Sequence, residues 1–178
     1  MKLFRHFCVA LALFVALSLL LAQGAAALAQ TGQTPTEDTL TASENARALM
    51  LVFDSYLEQD TALNTGISFV AIDPQNLPDL SARDRELMTA HYAKSLGVQL
   101  IWMGIGGLKE QGLFDDELQS IPNGLLLSLD KKPVVLGVLM SVSGSKYRGA
   151  CGANGFESSL VHSDGSWTLL KTKMTWIS

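Results

Sequence analysis

Apolar residues recur at helical spacing in the part of the chain that follows residue 40. The first such stretch begins after the capping pattern Thr41-Ala-Ser-Glu44 and ends near Gln59. A second capping signal, Ser81-Ala-Arg-Asp84, precedes a second periodic stretch over 82–96, and Gly97 is suited to end it. The sequence therefore predicts two helices, each with one buried face.

The period changes to two near Gly124, and four strands are predicted after it. Their ranges are Leu125–Leu129, Val134–Val142, Phe156–His162 and Trp167–Ile177. Short turns between them predict an antiparallel meander. Residues 66–72 predict one further short strand, and 98–108 fits either a strand or a buried helix. The expected class is α+β, with N-terminal helices packed on a C-terminal antiparallel meander of four or more strands.

Two registers are open to the last predicted hairpin. A two-residue turn at Asp164-Gly165 places Phe156 opposite Lys173 and leaves both faces mixed. A three-residue loop, 163–165, instead pairs Glu157 with Lys171 and collects the apolar residues on one face. We prefer the second register because it gives one apolar face and an opposite-charge pair.

The first 29 residues have the order of a secretory signal peptide. A basic head precedes an apolar run over 7–22, and Ala27-Leu28-Ala29 is a small-x-small cleavage pattern. The run is shorter than the ~20 residues of a spanning helix. We expect cleavage near Ala29, a flexible polar leader over 30–40 and a single α+β domain over 41–178. The predicted location is the bacterial periplasm or the exterior.

Charge and cysteine content exclude several classes of function. After cleavage, 11 basic residues face 17 acidic ones, which disfavours nucleic acid and anionic lipid as partners. A membrane contact is expected only if the signal segment is retained. Cys151 is the one cysteine after residue 29, so no internal disulfide forms. We predict no metal site and no cofactor, since the histidines and cysteines lack ligand spacing.

No spacing in the sequence identifies a nucleophile and its base. Cys151 lies near basic residues, but it is expected to pack in a glycine-rich segment rather than react. His91 falls on the apolar face of the second helix, where it needs a hydrogen-bond partner. A backbone partner favours a core histidine, whereas a carboxylate that lines a cavity favours an enzyme.

The segment Ser143-Gly144-Ser145-Lys146-Tyr147 resembles the Ser-Gly-x-x-Tyr motif of bacterial periplasmic lysozyme inhibitors. The resemblance implies a loop that enters the cleft of a glycosidase and meets its paired carboxylates. It covers five residues, and the family's disulfide has no counterpart here. It makes the loop 143–155 the expected contact surface. The residues proposed for binding are Ser143, Gly144, Lys146, Tyr147, Arg148 and, after the last turn, Trp167.

The order of helices followed by a long meander that closes with Asp-Gly-x-Trp resembles the cone-shaped nuclear-transport-factor-like fold. That fold hosts enzymes, small-ligand binders and dimerisation modules, so it does not fix a function. The resemblance implies a pocket between helix 82–96 and the sheet. Its expected lining is His91, Tyr92, Trp102 and Trp176.

The leading prediction is an exported, non-catalytic binding protein that acts on another protein through residues 143–155, in its sharpest form as an inhibitor. The alternative is a cone-shaped small-molecule binder or enzyme. A filled core beneath helix 82–96 and a projecting loop favour the first, and a deep pocket favours the second. The sequence leaves the oligomeric state open.

Overall fold

The computed structural model describes residues 42–178, in which helices alternate with and pack on a seven-stranded sheet. The helices are α1 (Glu44–Glu58), α2 (Ala82–Leu96) and α3 (Ile105–Glu110), with a short 3-10 helix at Thr61–Asn64. The strands are β1 (Phe69–Ile72), β2 (Gln99–Trp102), β3 (Gly124–Leu129), β4 (Val134–Leu136), β5 (Leu139–Gly149), β6 (Gly152–Ser163) and β7 (Ser166–Ile177). The predicted signal peptide and leader lie outside the described residues.

The sheet is mixed, with strand order β2-β1-β3-β5-β6-β7 and with β4 paired to β5. Strand β1 runs parallel to both β2 and β3, and the remaining pairs are antiparallel. The α+β class is confirmed. The expectation of a purely antiparallel sheet with all helices N-terminal was wrong, because α2 and α3 alternate with the short parallel strands. Parallel neighbours need such crossovers.

Capping residues fix the ends of the two long helices. Ser81 and Asp84 form the predicted capping box, and Gly97 ends α2 with a left-handed φ of 69°. The start of α1 differs from expectation by two residues. Ser43, not Thr41, is its N-cap, and its hydroxyl accepts from the amide of Ala46.

The sheet buries side chains on both faces at its β2-β1-β3 end. Helix α1 and the buried side of α2 cover one face with the larger core, which includes Phe53, Tyr92 and Phe156. Helix α3 and the segment after it cover the other face with a smaller core around Phe114 and Ile121. Toward β7 the second face stays open to solvent. Among residues 42–178, no helix has both the length and the apolar character needed to cross a bilayer.

Two segments differ from the elements predicted for them, and in each a short break separates two elements. Residues 98–108 contain both elements that the sequence left open, since β2 is followed directly by α3. The predicted strand Val134–Val142 is instead a hairpin, because Gly137 adopts a φ of 61° and separates β4 from β5. Strand β5 then continues to Gly149, far beyond its predicted end.

The last hairpin uses the register that we did not prefer. Asp164 and Gly165, both with positive φ, form a two-residue turn, and Glu157 faces Lys173. Two bulges in the β6–β7 pairing remove the mixed faces that this turn would otherwise create. One bulge leaves Leu170 exposed while Leu169 packs on the core.

The close approach of β3 to β5 at Gly144 leads to a stability prediction. A Cβ at this position would lie 2.3 Å from the carbonyl oxygen of Ser128, a backbone atom that cannot move alone. We expect Gly144→Ala to lower the free energy of unfolding by about 1 to 3 kcal/mol, as overpacking does. Urea unfolding of the chain from residue 30 measures it.

Gly106 in α3 provides the matched control, because a Cβ there meets nothing within 4 Å. Gly106→Ala is expected to leave stability unchanged or to raise it by up to about 1 kcal/mol, since alanine favours helix. Equal unfolding midpoints for the Gly144 variant and the parent chain would contradict the close packing of β3 and β5.

Candidate functional site

The segment expected to be a projecting loop is part of the sheet. Ser143 to Arg148 lie within β5, and the segment from Gly152 onward lies within β6. Only the turn at Ala150 and Cys151 separates the two strands. The prediction of a loop over 143–155 was therefore wrong. Because side chains alternate between the two faces of a strand, the position of each residue in β5 or β6 decides which neighbours it contacts.

Lys146 is fully buried and fastens the end of α1 to the sheet. Its ammonium group donates to the carbonyl oxygens of Gln59 and, at 3.0 Å, Asp60, which follow the last turn of the helix. It also lies 3.4 Å from Oδ1 of Asn64. The carboxylate of Asp60 in turn accepts from Asn154 at 2.8 Å. A charged donor thus binds the carbonyl oxygens of the two residues that follow α1, of which that of Asp60 also accepts from the amide of Leu63.

The neighbours of Lys146 on β5 also hold other segments in place. Arg148 donates to the carbonyl oxygens of Leu63 and Thr65, at 3.0 and 2.6 Å. The hydroxyl of Tyr147 donates to the carbonyl oxygen of Gln119, and its ring stacks on Phe114. These side chains connect β5 to the chain on both faces of the sheet.

The remaining residues proposed for binding divide between sheet contacts and the far end of the molecule. Gly144 lies against β3, and Ser143 pairs with Glu157 of β6. Trp167 is half-buried beside the last turn, with its ring 4.9 Å from that of His162. The structure brings Ser143 to Arg148 together along one strand but does not join Trp167 to them.

The space between α2 and the sheet, where the cone-fold alternative implies a pocket, is a filled core. Tyr92 is fully buried there, and burial together with the charge of Asp54 raises the pKa of its hydroxyl. Trp102 lies at the other side of α2, where its indole approaches Thr89 and carries Arg85 over its ring. Trp176 is half exposed on β7 and covers Gly155. These aromatic residues do not share a cavity.

His91 has a carboxylate partner, which is the outcome that favours an enzyme. Its Nε2 lies 2.9 and 3.1 Å from the two carboxylate oxygens of Asp54 on α1. About a third of each side chain is exposed. Both line an open groove of about 360 Å³ between the ends of α1 and α2, together with Glu58, Thr61, Asn64, Ser95 and the apolar residues Leu57 and Leu96.

A second groove, of about 170 Å³, lies between α1 and the β4–β5 hairpin. The residues that line it are mostly apolar: Ala48, Leu49 and Val52 of α1, Pro78, Pro133, Val135 of β4, and Met140 and Val142 of β5. Asn45 and Lys132 are its polar lining. This α1–hairpin groove is the more apolar of the two and has one cationic side chain at its rim.

The hairpin beside this groove exposes an unusual run of apolar side chains. We call residues 134–139 the hairpin tip. Its five large apolar residues, Val134, Val135, Leu136, Val138 and Leu139, are 43–74% exposed. Contiguous exposed apolar residues are uncommon on soluble monomers and mark contact surfaces.

Sequence reasoning missed the hairpin tip for an identifiable reason. The run from Val134 to Met140 is apolar at every position except Gly137, so it has no alternation. A run of this kind also fits one continuous strand, and we predicted a single strand over Val134–Val142. Gly137 within the run was the available signal for a turn.

Comparison with protein-family models, with curated proteins and with solved structures gave no significant match. Within residues 42–178, no cluster of three or more His, Cys, Asp or Glu side chains has the arrangement of a metal site.

The buried position of Lys146 predicts a pH dependence of stability. Burial lowers its pKa to about 8, against the opposing effect of Asp60, whereas an unfolded lysine titrates near ~10.4. Between these values the unfolded chain binds more protons, so the free energy of unfolding rises with pH, by at most about 1.4 kcal/mol per pH unit. Urea unfolding from pH 7.5 to 9.5 measures the slope.

The control for this prediction exchanges an exposed lysine in the same way. Lys146→Met should remove the rise, and Lys173→Met, on the solvent side of β7, should retain it. A stability that is flat or falls over this range in the parent chain would contradict the assignment.

Proposed function

We propose that this chain is an exported, non-catalytic binding protein that receives the apolar part of an amphiphilic ligand in the α1–hairpin groove. The observation that carries the proposal is the groove itself, an apolar recess beside the exposed hairpin tip. Binding sites for small molecules are concave and mostly apolar, with few polar groups that set orientation. The predicted signal peptide over 1–29 supports export.

The two polar residues of the groove indicate the chemistry of the ligand. Lys132 offers an ammonium group, and Asn45 offers an amide that can donate or accept. Apolar walls combined with a cation select a molecule whose apolar body ends in an anionic group. A carboxylate or a sulfonate matches this requirement, because charge-assisted hydrogen bonds to lysine are strong.

The size of the groove limits the part of the ligand that it can enclose. Cavities of roughly 150 Å³ hold a molecule the size of benzene. The α1–hairpin groove, of about 170 Å³, therefore accepts one aromatic ring or a short acyl segment, and a longer ligand extends into solvent.

The groove is formed by elements that are already ordered. Ala48, Leu49 and Val52 are buried on α1, and Met140 and Val142 are buried on β5. Binding to such a wall requires little ordering of protein side chains, which favours affinity. The hairpin wall, with Val135, is the more exposed side.

Titration calorimetry with octanoate tests this function. We expect the chain from residue 30 to bind octanoate and Val135→Asp to weaken binding at least tenfold, because it places a carboxylate in the apolar wall. Lys132→Gln should weaken it less, by removing only the cation at the rim.

The matched control is Val134→Asp, the neighbouring position on the opposite face of β4, which should bind as the parent does. Equal affinity of the parent and the Val135 variant would overturn the assignment to this groove, as would absence of octanoate binding.

Inhibition of a lysozyme through Ser143 to Tyr147 stays a prediction that the comparisons do not test. The internal hydrogen bonds of Lys146 and Tyr147 give both residues structural roles, so the groove supports the binding function better. A lysozyme that the parent chain inhibits and Tyr147→Phe does not would favour the inhibitor form.

A second candidate is acid–base catalysis at His91 and Asp54. A carboxylate that orients an imidazole is the arrangement of a general base, and the hydroxyl of Ser95 lines the same groove. We rank it second because the pair is open to solvent and joins α1 to α2, which suffices to explain it.

Hydrolysis of a panel of p-nitrophenyl esters tests the second candidate. Turnover that is lost in both His91→Gln and Asp54→Asn would establish it. The chain offers a control in His162, which pairs with Glu44 at 3.1 Å in the same way. His162→Gln should leave turnover unchanged, and equal loss in all three variants would exclude a specific role for His91.

A further inference from the structure

We propose that the hairpin tip docks on the surface of a phospholipid bilayer that contains anionic lipid. The five large apolar side chains of the tip are exposed, and Leu136, next to the turn, is 74% exposed. The inference goes beyond the ligand function of the groove, because its apolar contacts are made by Leu136, Val138 and Leu139, which do not line the groove.

The inner face of the hairpin lines the groove, and its outer face is available for the membrane contact. Val135 pairs with Met140 and faces α1, where both line the groove. Leu136 pairs with Leu139, and strand alternation directs both away from α1. With Val138 in the turn, these side chains have no covering element among the described residues.

Strand β7, which is paired on one side only, shows how this chain protects an exposed strand edge. Strand β7 carries Lys171 and Lys173, and its pairing with β6 contains two bulges. Charges and bulges are the usual protection of an edge. The tip has neither, since no charged residue occurs from Pro133 to Val142. We therefore interpret its exposure as a contact surface.

The residues around the tip favour lipid as the occupant. Lys131 and Lys132 precede it, separated from Val134 by Pro133, and are exposed. Cationic residues beside an apolar surface are typical of proteins that insert shallowly while their ammonium groups meet lipid phosphates. Trp167 lies at the same end of the sheet, where its paired residue His162 donates its amide to Val138. Tryptophan is enriched at membrane interfaces.

The entry point of the chain into the described domain lies at this end as well. Glu44, two residues after Ala42, contacts His162, which bonds Val138 in the hairpin turn. The sequence before Ala42 carries the apolar run over 7–22 and the export pattern. A chain that is exported meets a lipid surface, whether that run is cleaved or retained.

The net negative charge of the domain repels an anionic membrane at long range. Asp130 and Asp164 lie near the hairpin end, and Glu44 is engaged by His162. Screening limits such repulsion to ~10 Å at ordinary ionic strength. The β4–β5 turn lies level with His162, and Asp164 lies two residues further along at the same end. Within the screening distance, the apolar side chains of the tip therefore make the main contact, and Lys131 and Lys132 make it prefer anionic lipid.

Fluorescence of an environment-sensitive label, placed at either end of the strands, tests whether the tip is the part that contacts the membrane. In the chain from residue 30, nitrobenzoxadiazole is attached through Val138→Cys in a Cys151→Ser background. The native Cys151, exposed in the β5–β6 turn at the opposite end of the strands, carries the same label as the control. Vesicles contain phosphatidylcholine alone or with one quarter phosphatidylglycerol.

We expect a several-fold rise in emission and a blue shift for the label at position 138 with anionic vesicles, and no change for the label at Cys151. Leu136→Asp should weaken vesicle binding at least tenfold, whereas Leu170→Asp, at an exposed apolar position on β7, should not. Circular dichroism of each variant establishes that it is folded, and octanoate binding reports separately on the groove.

Three results would overturn the proposal. One is no emission change at position 138, and another is an equal change at Cys151. The third is a change at position 138 that grows with protein concentration in the absence of vesicles, which would assign the tip to contact between copies of this chain.

Discussion

The buried ammonium group of Lys146 beneath the end of α1 is the contact on which the arrangement of both grooves depends. It holds the carbonyl oxygens of Gln59 and Asp60 against the sheet, and so fixes where α1 ends. Helix α1 then supplies Asp54 to one groove and Val52 to the other. Removing the ammonium group takes this donor from the carbonyl oxygen of Gln59, and keeping it incurs a desolvation cost, so the site is tightly constrained.

Local signals in the sequence predicted the two long helices, because caps act over a few residues. Ser81, Asp84 and Gly97 mark both ends of α2 within its own sequence, and Asp84 also accepts from the amide of Ser43. The parallel pairing of β1 with β2 and β3 was not predictable in this way. It depends on contacts between segments far apart in the chain, and four-residue strands carry too few positions to show a pattern.

The candidate site was less predictable than the fold, and the reason is physical. Lys146 and Tyr147 have the composition of an exposed binding loop, but their strand positions direct them to internal acceptors. The tip has the composition of a core strand, but the turn at Gly137 carries it beyond the elements that would cover it. The type of a residue limits the contacts that its side chain can make, but the pairing register of its strand decides which neighbours it contacts.

The buried polar residues of β5 and β6 and the exposed apolar residues of the hairpin tip both bear on function. The chain buries Lys146, Asn154 and Ser158 beneath α1, where apolar residues would cost less. It also leaves Leu136 and Val138 exposed, where polar residues would improve solubility. Of the buried polar groups, Lys146 and Asn154 hold the segment that follows α1 against the sheet through Gln59 and Asp60. The exposed apolar residues are then the part of the hairpin that remains available for contact with another molecule, because the groove uses only its inner face.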